Sequence, residues 1–335
     1  MKNCSTINHR NQSLNLLKGF ACIGVVFIHI CFPDLFGQII KKLSGFAVPC
    51  FYMIAGFYAY QANKDVIKRR LIKILKIFIY AILLFFIFYL IVHIINNNYQ
   101  EWLMSLFTLK NLFKSIVFCT IDFAFPLWYL IGMIETYVLW FYVVKNKKES
   151  IILKFLPLLF ILRFILTSYV LSNNLPWCLK MNFLTCSLSW FLLGYYINLK
   201  KQIIIEKCKN SILFIYLSFG CTVALIPVIF RTSIDFSCIG IFFYSAVLFI
   251  FAIKYENYEM SNPITYIGEK LSLMVYILHV LIANILHYVN ILSFHINNNI
   301  LASLKPIFVL IVTLFTACLT NVVIKKYFNK NTLLL

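Results

Sequence analysis

Long apolar runs, separated by short polar stretches rich in Lys and Asn, make up most of the chain. Crossing a bilayer takes about 20 mostly apolar residues, and a backbone in lipid must satisfy its hydrogen bonds within the segment, so each run predicts a transmembrane helix. Ten are predicted, at residues 14–32, 46–62, 72–95, 123–144, 151–171, 183–198, 211–230, 236–253, 271–293 and 303–324, the sixth being short. We therefore predict an all-α integral membrane protein, with one membrane-embedded domain over residues 1–335.

The longest linker, residues 96–122, is too polar to span a bilayer. Within it, apolar side chains recur at helical spacing from Trp102 to Val117. Such a pattern is typical of an amphipathic helix lying in the membrane interface, and we predict one here.

Composition excludes a soluble protein. Hydrophobic residues make up 62% of the chain, charged residues 12%, and the mean hydropathy is +0.88, whereas soluble domains have roughly 25% charged residues. The eleven cysteines are scattered through apolar runs without a CxxC or Cys/His cluster, so we expect buried hydrophobes and no metal site.

The net charge of +19 has a topological explanation, so we expect no nucleic-acid partner. With the N-terminus inside, the ten-helix arrangement places 22 of the 30 basic residues on the inner side and seven on the outer. Basic residues gather in cytoplasmic loops. Both termini are therefore predicted to be cytoplasmic.

Ionisable side chains inside a bilayer are costly, which makes them candidates for function. Lys18 and His29 are eleven residues apart in the first span. That spacing places them on one helical stripe with a rise of roughly 16 Å. A groove along it could hold a long anionic cofactor, with its charged end at Lys18 and its reactive end at His29. Alternatively, Lys18 reaches the headgroups and His29 bonds to a neighbouring helix.

Two further charges lie within spans. Glu135 is predicted to orient His29 by accepting its second N–H. Alternatively, it is a protonated Glu that bonds to a helix, or it pairs with Arg163. Arg163 at mid-depth is predicted to partner Glu135, to bind an anion or to line a wet cavity.

Stretches in order along residues 14 to 280 resemble motifs of the integral-membrane acyltransferase-3 family. Lys18 and His29 match that family's pattern of Arg or Lys, ten residues, then His. The other stretches similar to its motifs are VPCFYMIAGFYAY, KRRLIKIL, PLWYLIGMIETYVL, WFLLGYYI and LSLMVYILH. Three positions depart: Ala55 replaces the usual Ser, Leu127 a frequent His, and Lys76 the usual Pro.

The resemblance implies an enzyme of the cytoplasmic (inner) membrane that moves an acyl group, usually acetyl, from acyl-CoA to a hydroxyl of a surface or lipid-linked glycan. It implies a catalytic role for His29, with Trp128, Tyr129, Tyr276 and His279 as substrate-binding or structural support. We add Arg163 to that supporting set because of its charge at mid-depth. Some members carry an extra esterase-like domain. The chain ends at Leu335, so none is expected.

Such chemistry needs a base for the hydroxyl proton or a nucleophile that carries the acyl group, and an imidazole can serve as either. CoA is strongly anionic, so a cationic cytoplasmic mouth is expected, supplied by Lys18 with Arg69, Arg70 and Lys73. The other interpretation of that cluster is positive-inside topology alone.

Two other classes of function suit intramembrane ionisable residues. One is a transporter or flippase of a lipid-linked sugar, with His29 and Glu135 as a proton relay. Against it, the sequence shows neither a second-half repeat nor paired broken helices. The other is a sensory membrane domain that binds a ligand without turnover.

Overall fold

The fold is helical throughout the part of the chain that the computed structural model describes, residues 11–256, 258, 262–293 and 299–327. No β-strand occurs within these ranges. The α-helices are α1 (Gln12–His29), α2 (Asp34–Leu43), α3 (Ala47–Ala59), α4 (Lys64–Ile95), α5 (Tyr99–Leu106), α6 (Leu109–Val117), α7 (Trp128–Lys145), α8 (Glu149–Lys154), α9 (Leu156–Ser172), α10 (Ser189–Leu199), α11 (Lys201–Lys207), α12 (Asn210–Ile229), α13 (Ser237–Lys254), α14 (Pro263–Tyr266), α15 (Ser272–Ser293) and α16 (Asn299–Tyr327).

Among the described residues, eight helical runs are long and apolar enough to cross a membrane. Two shorter apolar helices, Leu156–Ser172 and Phe183–Leu199, coincide with the fifth and sixth predicted spans. The prediction of an all-α integral membrane protein is confirmed. The second of these two helices begins with a π-helical segment, Phe183–Leu188, that leads directly into α10.

The second span is longer than the sequence predicted. Helix α2 continues through a 3₁₀ turn, Ser44–Phe46, into α3, which makes one helical run over Asp34–Ala59. Lys41 and Lys42, which are two of the seven basic residues that the ten-helix arrangement places on the outer side, therefore lie in a helical run that is long and apolar enough to cross a membrane. There the Lys42 ammonium donates hydrogen bonds to the Asp235 carboxylate at 2.8 Å and to the Ser237 hydroxyl at 2.7 Å. These contacts reduce the free-energy cost of a charge within an apolar helical run.

The linker between α4 and α7 contains two short helices, α5 and α6, where one interfacial helix was predicted. The chain breaks at Phe107, whose side chain is 87% exposed, and Thr108 caps the start of α6. The predicted helical spacing is present, but it is divided between two segments that meet at this cap.

Large aromatic side chains fill the interior between α3, α7, α9 and α10. Tyr52, Trp140, Trp190 and Phe191 are fully buried, and the Trp140 and Phe191 rings meet edge to face at 5.2 Å. This core packs α7 against α3 and α10.

We predict that the α7–α8 connection faces the cytoplasm, because of the unequal distribution of basic residues. In a cysteine-free background, Lys147→Cys should resist a membrane-impermeant maleimide in intact cells and react after permeabilisation. Lys147 is exposed in the structure, and Arg231→Cys, in the exposed loop after α12, is the matched control that should react in intact cells. The reverse labelling pattern would overturn the orientation.

Candidate active site

Helix α1 packs against the π-helical turn Ile267–Leu271, which leads directly into α15, and the two segments touch at Gly19 and Gly268. A Cβ built on Gly268 would lie 1.9 Å from the Asn15 carbonyl oxygen and 2.6 Å from the Gly19 backbone nitrogen, so only glycine fits here. Ten residues after Gly19 comes His29, and eleven after Gly268 comes His279. The π-helical turn Ile267–Leu271 takes up an extra residue, so both imidazoles reach one level, roughly 15 Å beyond the glycine contact.

We expect Gly268→Ala to separate these helices and to lower both stability and activity. Overpacking of this kind typically costs about 1–3 kcal/mol. Gly24→Ala on α1 is the matched control, because its Cβ would meet the nearest atom at 3.3 Å and needs only a small adjustment. The melting temperature and the transfer rate should fall for Gly268→Ala and stay near wild type for Gly24→Ala. If the two variants had equal melting temperatures and equal transfer rates, the glycine contact would not be what aligns the two histidines.

The imidazole rings of His29 and His279 are neighbours, with centroids 5.1 Å apart and planes inclined by 49°. His29 is the last residue of α1 and half-buried, whereas His279 is fully buried. The His279 Nδ1 lies 3.0 Å from the Val275 carbonyl oxygen, which can only accept, so this nitrogen carries the proton. Its Nε2 therefore presents a lone pair, and it has no hydrogen-bond partner within the described residues.

The third wall of the site is the 3₁₀ segment Asp122–Leu127 that precedes α7. Phe125 meets His29 edge-on at 5.6 Å between ring centroids, and Trp177 packs on Phe125 at 4.4 Å. Neither residue was predicted from the sequence. Phe125 directly precedes the PLWYL stretch, and the resemblance of that stretch to a family motif could have indicated it. Trp177 lies in a short turn between spans, and no sequence pattern marks it.

Tyr276 ties α15 to this wall. Its hydroxyl donates to the carbonyl of Pro126, and its ring packs edge to face on Tyr129 at 5.2 Å. Tyr129 lies half-buried against Tyr52, and Trp128 is buried. The structure therefore gathers five of the predicted residues, His29, Trp128, Tyr129, Tyr276 and His279, around the junction of α1, α7 and α15.

Glu135 lies elsewhere. Its carboxylate accepts a hydrogen bond from the Cys119 thiol at 3.1 Å, and no hydrogen bond joins it to His29 or Arg163 in the described part of the chain. Arg163 donates from Nη1 to the Thr185 carbonyl at 3.0 Å and lies over the Trp190 ring, 5.5 Å from its centroid. Of the three environments predicted for Arg163, the structure provides the lining of a cavity.

The predicted cofactor-binding cations lie away from the two histidines. Lys18 is half-buried on α1, eleven residues before His29. Arg70 donates from Nη1 to the Tyr58 carbonyl at 2.7 Å, which caps the end of α3, while Arg69 and Lys73 are exposed on α4. Lys18 remains on the His29 helix as predicted, about 16 Å along its axis.

No group of three or more His, Cys, Asp or Glu side chains is arranged as a metal site within the described ranges.

Comparison with known proteins identifies the family of the chain. No match is found among curated proteins or among solved structures. A family model, acyltransferase-3, described as an acyltransferase domain, matches residues 11–324 of the 335. The chain therefore belongs to the acyltransferase-3 family and is a membrane acyltransferase.

Proposed function

We propose that this acyltransferase moves an acyl group, acetyl in the first place, from cytoplasmic acyl-CoA to a hydroxyl of a surface or lipid-linked glycan in the cytoplasmic membrane. The observation that carries the proposal is the contact between the His29 and His279 imidazoles in a chain of this family. A transporter would also use intramembrane imidazoles, but family membership favours group transfer.

The transfer is a substitution at the thioester carbonyl. His29 takes the proton of the acceptor hydroxyl while its oxygen attacks the carbonyl carbon, and the C–S bond then breaks. The resulting imidazolium returns the proton to the departing CoA thiolate, so no external acid is consumed. A variant of this route, in which the imidazole first carries the acyl group, uses the same nitrogen.

His279 supports this step through its fixed tautomer. Since Nδ1 is committed to the Val275 carbonyl, the Nε2 lone pair faces outward from that helix turn and can accept a hydrogen bond. The neighbouring His29 N–H or the acceptor hydroxyl is the natural donor. We assign to His279 the role of accepting this hydrogen bond and so orienting the donor. Glu135 was predicted for that role, but its carboxylate accepts a hydrogen bond from the Cys119 thiol.

The acyl-CoA end is assigned to the opposite end of α1. Lys18 lies about 16 Å from His29 along the helix axis, a distance that suits an extended cofactor with its phosphates at one end and its thioester at the other. Arg70 with exposed Arg69 and Lys73 supplies further positive charge. Positive-inside topology is the other explanation of these charges, and the KM for acyl-CoA distinguishes the two.

We expect Lys18→Ala and Arg70→Ala each to raise the KM for acyl-CoA about tenfold, since a charge-assisted hydrogen bond contributes roughly 1.5–3 kcal/mol. Lys18→Arg should keep the wild-type value. Exposed Lys64 at the start of α4 is the matched control, and Lys64→Ala should leave KM unchanged. Melting temperatures are needed for Arg70→Ala, because that variant also loses the cap on α3. If both alanine variants kept the wild-type KM for acyl-CoA, these charges would serve only the orientation of the protein in the membrane.

The reaction itself is tested with purified protein, radiolabelled acetyl-CoA and lipid-linked saccharides extracted from the native membrane. Label should enter the saccharide fraction as an alkali-labile ester, and CoA release should require the acceptor. Release without an acceptor at the same rate, or no release at all, would contradict the proposal.

A further inference from the structure

A cavity of about 420 Å³ lies beside the His29 end of α1, where Ile28 forms part of its wall. Four cationic side chains line it: Lys41 and Lys42 from α2, Arg163 from α9, and Lys180. Small-molecule sites have volumes of roughly 300–1,000 Å³, so the space suits one charged sugar unit.

The positive charge of this cavity is only partly neutralised by the protein. Lys42 forms an ion pair with Asp235 at 2.8 Å. Burial opposes ionisation of that carboxyl, but hydrogen bonds from Lys42 and Ser237 lower the pKa of Asp235, so it is an anion. Lys41 and Lys180 have no carboxylate partner within the described ranges. Four cations therefore face one carboxylate.

Arg163 contributes a further positive charge to the cavity. Its contacts are neutral, a backbone carbonyl and an indole ring. Burial, and then the charges of Arg163 and Lys42, lower the pKa of Lys180. An anion that entered the cavity would remove this repulsion.

Uncompensated cations at membrane depth are expensive, and such groups usually line a substrate or ion path. In the predicted orientation the cavity belongs to the outer half of the protein, on the acceptor side of His29. Lysines are scarce on that side, which makes their convergence on one cavity informative.

We propose that this cavity binds a phosphate or carboxylate group of the acceptor, which makes the acceptor an acidic saccharide. The inference rests on the proposed function, since it names the substrate class of the same site. Ile28, which precedes His29 on α1, lies in the cavity wall, so an acceptor held there by its anionic group is close to the end of α1 that carries the His29 imidazole.

Binding is tested without acyl-CoA, on the full chain in phosphatidylcholine nanodiscs. Glucose 1-phosphate, glucuronate, glucose and inorganic phosphate are titrated by calorimetry. We expect both acidic sugars to bind at least tenfold more tightly than glucose, about 1.4 kcal/mol, and more tightly than inorganic phosphate. The relative affinities of the first two sugars distinguish a phosphate from a carboxylate acceptor.

Lys180→Gln removes one cation without breaking a hydrogen bond of the described structure, and it should weaken acidic-sugar binding at least tenfold. Lys110→Gln, an exposed lysine on α6 outside the cavity, is the matched control and should bind like wild type. Unchanged binding in Lys180→Gln, or equal affinity for glucose, would overturn the proposal. So would loss of sugar binding in nanodiscs that contain phosphatidylglycerol, because a lipid headgroup would then be the occupant.

The two proposals fail separately. Acidic sugars that bind through Lys180 in a protein without transfer activity would disprove the acyl transfer and leave the cavity site intact. Efficient acetylation of a neutral glycan, unaffected by Lys180→Gln, would disprove the acidic acceptor alone.

Discussion

Replacing His29 with Ala should lower kcat for acyl transfer by roughly 10²–10⁴-fold, the usual contribution of a general base. The imidazole stands at the end of α1 against His279 and Phe125, and no other side chain on α1 brings a basic nitrogen to this level. An enzyme that lacks it retains both binding regions, so the KM for acyl-CoA should change little.

The control for this variant is its expression and its melting temperature. His29 is the last residue of its helix and half-buried, so its loss leaves only a small void. Phe27→Ala, two residues earlier and also half-buried, removes a larger side chain and should keep most of the activity. Near wild-type transfer by His29→Ala would rule out the mechanism and leave His279 as the candidate base.

The spans could be predicted from sequence because length and apolarity alone decide whether a helix crosses a bilayer. The start of the second span could not. Asp34, Gln38, Lys41 and Lys42 make α2 polar enough to resemble a loop, and its helix is accommodated by Asp235, Ser237 and the cavity, which belong to distant segments. Periodicity reports which face of a helix is polar, but not what that face meets.

The site was predictable to a similar degree. His29, Tyr276 and His279 stand within recognisable motifs, but their proximity depends on the close approach of Gly19 and Gly268, which lie far apart in the sequence. For Glu135, the position in a span was predictable, but the hydrogen-bond partner was not. Glu135 lies on α7, within the fourth predicted span, but its hydrogen-bond partner is Cys119, which lies in the preceding linker, whose path the sequence did not predict.

The second large effect is expected at His279. His279→Asn should keep the fold and lower kcat by an order similar to His29→Ala, because the two roles of this imidazole are on different nitrogens. The Asn amide nitrogen occupies nearly the position of Nδ1 and can still donate to the Val275 carbonyl, but the side chain ends before the position of Nε2. The Asn variant therefore loses only the Nε2 lone pair beside His29.

His279→Gln is the matched control, since its longer amide reaches the position of Nε2 and offers an oxygen there as an acceptor. We expect it to recover part of the activity, although it gives up the bond to Val275 and should melt at a lower temperature than His279→Asn. A purely structural His279 predicts the opposite order, with the Asn variant active and stable and the Gln variant impaired in both. Because His279 is fully buried and its Nε2 has no partner in the described part of the chain, the chemical role is the one that accounts for an otherwise costly polar atom.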